Sequence, residues 1–444
     1  MKIPDARGPI SGGLFRLLAD GTGDVSAAQG ALHRLIEGQL ALTDDVIDDG
    51  DVQLALFCLY ELHYGGLDGV DNRWEWNPGL ITLRQLLEEP FELALRSAAR
   101  SSAGSVQPAP AAGLDSDAVA DILFGLAGQD GGPGMSRHVA KKATLGQLRE
   151  FLVHKSIYQL KEADPHTWAI PRLTGRAKAA LVEIQADEYG GGRPDRMHSA
   201  LFARTMQGLG LDDVYGGYVD AVPAVSLAAV NMMSLFGLNR RLRGAIAGHL
   251  AIYEMTSSRP NQLYGNGFRR LGFGADVTAY FDEHVEADAV HEQIAGRDLA
   301  GGLVEAEPDL LPDVLFGATA ALAIDARLAA HIMGAWETGT SSLKPPAPPG
   351  SDPGTNPRQG ARMNQKPQES SNDGAIVICP DGPILVRGEF EIVTPSGGAV
   401  PRTRKTVALC RCGASAIKPY CDGTHKLIGF RTEYPATPGT KEAT

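Results

Sequence analysis

The sequence predicts an all-α unit over residues 1–340, followed by a disordered linker and a small β-rich domain. Three observations support this division. Apolar residues recur at helical spacing through most of the first 340 residues, where strand-like alternation is scarce. Residues 341–373 are rich in proline, glycine and serine and lose that period. Beyond them, short β-prone runs are separated by Asp-Gly and Ser-Gly-Gly turns.

Composition excludes several classes of protein. The chain has 444 residues and a mass of 47.0 kDa, which is enough for two or three domains. With 43% hydrophobic residues it is not wholly disordered, and a net charge of −12 argues against a nucleic-acid partner. The N-terminus lacks the apolar core of a signal peptide, and the longest apolar run, Ala221–Leu238, contains Pro223 and Asn231 and predicts a buried bundle helix. We therefore expect a cytoplasmic protein without a membrane partner.

Seven segments before the linker carry apolar residues at positions i, i+3 and i+4 and are predicted to be amphipathic helices. They span residues 52–64, 80–99, 145–162, 177–189, 240–255, 275–294 and 315–336. We expect residues 1–100 to form a helical extension, residues 101–340 the main helical domain and residues 374–434 the β-rich domain. Residues 101–113, rich in alanine, serine and proline, are predicted to be a loop.

The β-rich domain is expected to contain four short strands, at residues 375–378, 384–386, 390–393 and 406–409. Residues 374–430 carry seven basic and four acidic side chains, so this part has a charge of +3 and the rest of the chain −15. Opposite charges would favour docking of the domain on the helical unit. Three surplus charges are equally compatible with an ordinary solvated surface.

Three of the five cysteines lie with one histidine inside sixteen residues, as Cys410, Cys412, Cys421 and His425. The odd number of cysteines and their crowding do not predict a disulfide framework, and they favour a reducing compartment. Thiolates select zinc or an iron–sulfur cluster. Both a Cys3His zinc site and a cluster are compatible with these residue types and spacings.

The segment Cys-x-Cys, followed by Cys-Asp-Gly-Thr-His with Ser415 and Pro419 between the two parts, resembles the CDGSH iron–sulfur family over residues 375–430. The resemblance implies one [2Fe–2S] cluster held by Cys410, Cys412, Cys421 and His425, with Thr424 where the family name has serine. A histidine ligand would make the cluster acid-labile and its potential dependent on pH, which suits electron transfer. Family members with a single motif commonly pair, so a homodimer is also implied.

A second group of metal-ligating side chains lies in the helical unit. His284, Asp288 and His291 are at positions i, i+4 and i+7 and share one helix face. Oxygen and nitrogen donors suit non-haem iron or manganese, although a solvated polar face would give the same pattern. Glu254 interrupts an otherwise apolar helical stretch, so its carboxylate is expected either at the surface or on a metal.

Other pairs compete for the role of ligands, namely Glu150 with His154, Glu162 with His166, and Glu61 with His63. The last pair would point about 200° apart on a helix, and Pro165 is expected to break the helical face of the second pair. Alternatives to Glu188 as a carboxylate ligand are Glu183, Asp187 and Asp195. Arg193 and Arg196 either contact a substrate carboxylate or neutralise these acids.

The run Glu-Ile-Gln-Ala-Asp-Glu-Tyr-Gly-Gly-Gly-Arg-Pro-Asp-Arg-Met-His, followed by a glutamate and then His-x3-Asp-x2-His, resembles the haem-oxygenase-like diiron oxidases and oxygenases, also called iron-containing redox enzymes. The similarity covers about residues 140–335 and implies a haem-oxygenase-like helical bundle. The diiron ligands that it implies are Glu162, Glu188, His198, Glu254, His284, Asp288 and His291, at intervals of 26, 10, 56, 30, 4 and 3 residues.

The two resemblances together imply O2-dependent oxidation of a small molecule, with no catalytic residue beyond the diiron ligands. Members of the family oxygenate amine nitrogens, cleave C–C bonds or desaturate. We expect N-oxygenation of a small amine or amino-acid-like substrate first and oxidative C–C cleavage second. The fused cluster would pass electrons from a reductase, over a linker whose root-mean-square reach is about 30 Å. An iron or redox sensor without catalysis, or a cluster carrier, are the other possibilities.

Overall fold

The computed structural model describes residues 1–19, 25–102, 113–129, 134–345, 375–388, 390–394, 398–402 and 404–432. Contacts divide the chain into two compact units, residues 1–345 and 346–444. The first unit is all-α and the second contains a small sheet, so the predicted fold class is confirmed. The predicted loop at residues 103–112 and the predicted linker at residues 346–373 lie outside the described residues.

Helices make up most of the described part of the first unit. They are α1 (Pro9–Ala19), α2 (Ser26–Leu40), α3 (Gly50–Glu61), α4 (Pro78–Ser102), α5 (Ser116–Gln129), α6 (Met135–Lys141), α7 (Leu145–Gln159), α8 (Asp164–Thr167), α9 (Gly175–Glu188), α10 (His198–Gly208), α11 (Ala224–Leu238), α12 (Arg243–Arg270), α13 (Ala275–Gln293), α14 (Gly302–Ala306) and α15 (Leu311–Glu337). A π-helical segment, Ile294–Gly301, joins α13 to α14.

Local capping explains where two of these helices begin. The Asp49 carboxylate accepts hydrogen bonds from the first free N–H groups of α3, and Thr144 and Gln147 form a reciprocal capping box on α7. Such caps satisfy donors that have no partner inside the helix. Helix α7 thereby begins at a defined residue, and its other end leads into the turn that carries Glu162.

Helix α12 is the centre of the bundle and packs against α6, α13 and α15. Its contact with α15 brings two backbones together, because a Cβ atom on Gly248 would lie 1.9 Å from the Val314 carbonyl oxygen. A Cβ atom on Gly317 would meet the Ala245 carbonyl at the same distance. Helix α11 is buried along nearly its whole length, as expected for the apolar run that contains it.

One described helical stretch, Pro308–Glu337, is long and apolar enough to cross a membrane by length and composition alone. About 56% of its apolar window is buried inside the first unit. The core helix of a water-soluble protein passes the same test, so this stretch is weak support for a membrane span.

The structure differs from the sequence-based expectation at three helix ends. Helix α7 stops at Gln159 instead of Glu162, and the turn that follows contains Ala163, whose backbone φ of 79° is not helical. Helix α12 continues past Pro260 to Arg270, since its packing on α6 and α13 outweighs the lost backbone hydrogen bond. The π-helical segment replaces the end of the predicted helix after Gln293.

The first residues of the predicted linker are part of the helical unit, which corrects the boundary at residue 341. The Ser342 side chain is buried, and its N–H and hydroxyl both donate to Glu150 Oε2, at 2.9 and 2.6 Å. The backbone N–H of Lys344 donates to the Ala221 carbonyl. Residues 341–345 are therefore anchored by hydrogen bonds that composition alone does not predict.

The second unit contains a three-stranded antiparallel sheet of β1 (Ala375–Ile378), β2 (Ile384–Arg387) and β3 (Val407–Leu409), in the order β1-β2-β3. Ile376 pairs with Val386, and Leu385 with Ala408. The expected strand at residues 390–393 does not form within the described residues, where Val393 makes only an isolated bridge. A short helix, α16 (Thr424–Leu427), closes the cysteine-rich loop.

Candidate metal centres

Six of the seven predicted diiron ligands converge in the interior of the helical unit. They form two groups, Glu162, Glu188, His198 and His284 in the first, and Glu188, Glu254 and His291 in the second. Within each group, one ligand atom from every residue lies within 4.8 Å of the others, and all six side chains are buried. Because Glu188 belongs to both groups, its carboxylate can bridge two ions.

The first group is assembled from the turn after α7, the end of α9, the start of α10 and the middle of α13. His198 Nδ1 lies 2.9 Å from Glu188 Oε2, and His284 Nε2 lies 3.4 Å from Glu162 Oε1. The rings of His198 and His284 are 4.4 Å apart between centroids. Two imidazoles and two carboxylates therefore surround one small volume.

The second group joins α12 and α13 to the same carboxylate. His291 Nδ1 lies 3.4 Å from Glu254 Oε2 and 3.6 Å from Glu188 Oε1. Both Glu254 and His291 are buried in the bundle. Of the two positions expected for Glu254, the surface is therefore excluded. The carboxylate is buried and faces an imidazole.

Asp288 is the seventh predicted ligand and lies outside both groups. It is buried on α13 between the two histidines of that helix, and its Oδ2 accepts a hydrogen bond of 2.6 Å from the Ser257 hydroxyl. Burial and the Glu254 carboxylate raise the pKa of Asp288, which the neighbouring His284 partly opposes. Its side chain is thus close to the second group but is held by α12 in this structure.

Side chains around the two groups orient the ligands, and sequence reasoning missed most of them. The Nδ1–H of His284 donates to the Tyr280 carbonyl at 2.8 Å, which turns Nε2 towards Glu162. The Tyr280 hydroxyl donates to Glu162 Oε1 at 2.9 Å. Tyr280 precedes His284 by one helical turn, which is the only sequence signal for this contact.

Asp187 has a different role from the one considered for it in the sequence. Its carboxylate accepts a hydrogen bond from His291 Nε2 at 3.2 Å, which leaves Nδ1 facing Glu188 and Glu254. A carboxylate on the outer nitrogen fixes the tautomer and the ring orientation of a metal-binding histidine. Asp187 therefore supports His291 from outside the group and does not replace Glu188.

The electrostatics of the two groups reflect crowded carboxylates. Burial would raise the pKa of Glu188, but the imidazoles of His198 and His291 bring it well below its ordinary value. Burial lowers the pKa of His284, but the Glu162 carboxylate raises it more, and the net result is a rise to about 10. The pKa of His291 is likewise raised, against its burial, by Glu254 and Asp187. Positive charge is therefore stabilised where these side chains meet.

The donor set fits two divalent cations. The three carboxylates and three neutral imidazoles of the two groups carry a charge of −3, and an ionised Asp288 beside them would bring it to −4, which two divalent ions balance. Several ligand atoms are buried without a well-formed hydrogen bond, namely Glu162 Oε2, both ring nitrogens of His198 and His291 Nδ1. Buried polar atoms without partners are costly and rare, and metal coordination would satisfy these. Carboxylate and imidazole donors suit iron or manganese.

The competing pairs from the sequence have other partners. Glu150 and His154 both bind Ser342, and His166 Nε2 lies 3.1 Å from His249 Nδ1. Arg193 pairs with Asp195, and Arg196 with Glu283, so both arginines neutralise nearby acids, as one of the two interpretations predicts. Glu61 pairs with Lys161, and His63 lies beside Arg84. None of these residues belongs to either ligand group among the described residues.

In the second unit the four predicted cluster ligands are arranged as two pairs. Cys410 Sγ and Cys412 Sγ are 3.8 Å apart, and Cys421 Sγ and His425 Nδ1 are 3.4 Å apart. The backbone N–H of Gly423 donates to Cys421 Sγ. Gly423 has a φ of 75°, a conformation that glycine adopts without strain, and the turn presents both members of the second pair.

The segment between the two pairs is held by its own polar side chains. The Ser415 hydroxyl donates to the Tyr420 carbonyl at 2.7 Å. The Asp422 carboxylate accepts hydrogen bonds from the N–H groups of Ala416 and Thr424. Burial opposes ionisation of Asp422, yet these hydrogen bonds leave its pKa below the ordinary value. The serine and aspartate of the motif are therefore structural.

Comparisons with known proteins agree with these two sites. Residues 149–326 match the family described as iron-containing redox enzyme, and residues 381–426 match the family described as iron-binding zinc finger, CDGSH type. A relative named nitrosourea synthase, from Streptomyces achromogenes subsp. streptozoticus, is 31% identical over 193 residues. That match covers 41% of this chain and 41% of the relative. Residues 149–326 of the helical unit therefore resemble iron-containing redox enzymes, and residues 381–426 of the C-terminal unit resemble CDGSH-type iron-binding domains.

Proposed function

We propose that this chain is an O2-dependent diiron oxygenase that oxidises a nitrogen of a small amine or amino-acid-like substrate. Its C-terminal unit would hold a [2Fe–2S] cluster that supplies electrons. The observation that carries the proposal is the pair of buried ligand groups that share Glu188. Bound there, two ferrous ions would supply the electrons that reduce O2.

The residues around the site prepare it for two ions. Tyr280 and Asp187 fix Glu162 and His291 from outside the groups, so the ligands are held before a metal arrives. The deep burial of all six ligands keeps bulk water away from the reacting volume. An exposed acidic cluster would have neither feature.

Oxidation of nitrogen is supported by the named relative. A nitrosourea carries an oxidised nitrogen, so the name of a relative that is 31% identical over the matched region favours nitrogen over carbon as the reacting atom. The match spans less than half of either chain, and the substrate class is therefore part of the proposal. Oxidative C–C cleavage or desaturation at the same site is the alternative outcome.

The arrangement of the C-terminal ligands supports a cluster over a single zinc ion. A tetrahedral zinc site brings all four ligand atoms within about 4 Å of one another, given zinc–ligand distances of about 2.0–2.3 Å. Here the ligands lie as one Cys–Cys pair and one Cys–His pair. Among the described residues, groups of three such ligands within 4.8 Å are found only in the helical unit. Two irons, each held by one pair, are compatible with this arrangement.

The fusion of the two units suggests the route of electrons. The dinuclear site needs two electrons for each turnover, and a [2Fe–2S] cluster carries one at a time. We propose that a separate reductase reduces the cluster, which then reduces the helical unit of the same chain. A homodimer and a cytoplasmic location are also part of this proposal.

Iron and acid-labile sulfide per chain test the two sites together. Protein purified without oxygen and reconstituted with Fe(II) should contain about four irons and about two sulfides. Two irons with two sulfides would leave only the cluster and remove the main support for an oxygenase. Zinc without sulfide would replace the cluster by a zinc site.

Substrate-dependent O2 uptake then tests the activity. A panel of amines and amino acids should include compounds that stimulate O2 consumption and yield N-hydroxylated products by mass spectrometry. Products shortened by one or more carbons would favour C–C cleavage. A protein that binds four irons but consumes no O2 with any member of a broad panel would act as a sensor.

A further inference from the structure

We propose that Glu61 and Lys161 are positioning residues for the Glu162 carboxylate. They form a buried ion pair that ties helix α3, in the N-terminal extension, to the turn that carries Glu162. The inference rests on the proposed function, because it takes Glu162 as a metal ligand. It gives the first 100 residues a role at the metal site.

The backbone around Glu162 needs support from outside. Glu162 lies after the end of α7 and before α8, so no regular helix sets its direction. The next residue, Ala163, has φ 79° and ψ −31°, a conformation that is unfavourable for a residue with a side chain. Such conformations persist only where the surroundings hold them, and they cluster at functional sites.

One support comes from α3 through Lys161. Lys161 Nζ contacts Glu61 Oε1, and the side chains of these two residues are only 5% and 1% exposed. The Tyr215 hydroxyl donates to the same carboxylate at 2.8 Å. The Tyr64 ring lies 4.2 Å from Lys161 Nζ, measured to its centroid, so an aromatic face shields the charge. Loss of either charged partner would leave the other buried without a counterion.

A second support comes from α9 on the other side of Glu162. The Gln185 side-chain amide donates to the Ala163 carbonyl at 2.9 Å and to the Thr167 hydroxyl at 2.6 Å. Gln185 lies three residues before Glu188 on the same helix. The residues before and after Glu162 are thus held by α3 and α9 respectively, and the carboxylate between them has little freedom.

The geometry predicts an effect confined to one ligand group. Glu162 belongs to the group with His198 and His284 and is absent from the group of Glu188, Glu254 and His291. Release of the turn should therefore weaken binding of one ion much more than binding of the other. A pair that merely stabilises the fold would affect both ions equally, or neither.

The test is anaerobic equilibrium dialysis of the full-length chain against Fe(II). Acid-labile sulfide is measured in parallel, and the iron of the cluster, one for each sulfide, is subtracted from the total. The variants are Glu61→Gln, Lys161→Met and the double variant Glu61→Leu/Lys161→Met. Wild type should bind two ferrous ions, and each variant should bind one of them at least tenfold more weakly, with a clearly smaller loss for the other. The Mössbauer signal of the bound ⁵⁷Fe(II) should lose one of its two components in parallel.

A matched control is Glu88→Gln, which breaks the buried Arg84–Glu88 pair in the same N-terminal extension. It should bind both ions as wild type does. The double apolar variant leaves no stranded charge, and its circular dichroism should match that of wild type, which keeps the test valid if a single variant fails to fold.

Three results would overturn the inference. They are unchanged binding of both ions in the double variant, equal weakening of both ions, and the same loss in Glu88→Gln. If wild type itself binds no ferrous iron beyond the cluster, the proposed function fails and the inference falls with it. Failure of the proposed function can be told from failure of the inference, because it is seen with wild type before any variant is made.

Discussion

Glu188 is the carboxylate that both ligand groups contain. It sits at the last residue of α9, one residue after Asp187, whose carboxylate holds the outer nitrogen of His291. The two neighbouring acids thus have different contacts: Glu188 faces both ligand groups, and Asp187 faces the outer nitrogen of His291. Single substitutions along this helix should therefore have sharply different effects.

We predict that Glu188→Ala removes both ferrous ions, whereas Glu254→Ala removes only one. The reason is that Glu254 belongs to the second group alone. Iron and sulfide per chain should fall from about four irons to about two in the first variant and about three in the second. Glu183→Ala, on the same helix but in neither group, should keep about four. Equal iron contents in the Glu188 and Glu254 variants would contradict a shared carboxylate.

A second prediction at this scale concerns acid stability. Burial, with a smaller contribution from His331, lowers the pKa of His154 to about 3. Between about pH 6.5 and pH 3, His154 is therefore protonated in the unfolded chain and neutral in the folded chain. Folding stability due to His154 is lost as pH falls through that window, by up to about 1.4 kcal/mol per pH unit.

The measurement is urea unfolding of wild type and His154→Gln at pH 7, 6 and 5. The variant should be less stable at pH 7, because His154 bonds to Ser226 and Ser342, and the gap should narrow as the pH falls. His33→Gln, at a surface position, should give a curve parallel to that of wild type. A gap that stays constant for His154→Gln would show that the residue does not resist protonation.

Residue types and spacing placed His284, Asp288 and His291 on one helix face, and the family resemblances implied the other candidate ligands, because chemistry restricts such ligands to carboxylate, imidazole and thiolate. The residues that orient these ligands were not predictable in the same way. Tyr280, Ser257 and Lys161 are common residue types, and their contacts with Glu162, Asp288 and Glu61 join segments that are far apart in sequence. Only the packed structure shows those partners.

At the scale of helices, periodicity identified most segments but not their ends. Helix α7 stops three residues early at a backbone conformation that no propensity predicts for Ala163. Helix α12 runs through Pro260 to Arg270, beyond the predicted end at residue 255, because neighbouring helices support it on several sides. Both deviations affect the site, since one carries Glu162 and the other extends the helix of Glu254.

Close packing of α12 on α15 gives a prediction for these elements. Gly248→Ala would place a methyl group 1.9 Å from the Val314 carbonyl oxygen, so the two helices must move apart. We expect a loss of about 1–3 kcal/mol in the free energy of unfolding by urea. Gly334→Ala is the matched control on α15, with no atom within 4 Å of the new methyl group, and it should stabilise by about 0.5–1 kcal/mol. Unchanged stability in Gly248→Ala would mean that the helices separate freely.

At the scale of the whole molecule, two units of opposite charge are joined in one chain. The part with residues 374–430 carries +3 and the remainder −15. If electrons pass from the second unit to the first, charge attraction should assist their encounter. The division itself was predictable, because the composition changes abruptly after residue 340, whereas the anchoring of Ser342 by Glu150 was not.

We predict that salt slows the transfer of electrons inside the chain. Raising the ionic strength from about 0.1 M to about 1 M shortens the Debye length from about 10 Å to about 3 Å and screens the attraction. The transfer of the first electron from a reduced cluster to the oxidised dinuclear site, followed by stopped flow, should slow several-fold. The rate should not depend on protein concentration, which distinguishes transfer within a chain from transfer between chains. A rate that does not change with salt would show that the opposite charges do not assist electron transfer.

The shared position of Glu188 also bears on how the protein responds to scarce iron. If Glu188 holds both ions, binding of the first would change the affinity for the second, because the first ion would both orient Glu188 and reduce its charge. The resulting coupling is reciprocal, so it has the same value whichever ion binds first. If orientation dominates, occupancy rises cooperatively and half-loaded chains are rare. If charge reduction dominates, the second ion is the one exchanged with the surroundings, and activity would follow the supply of free ferrous iron.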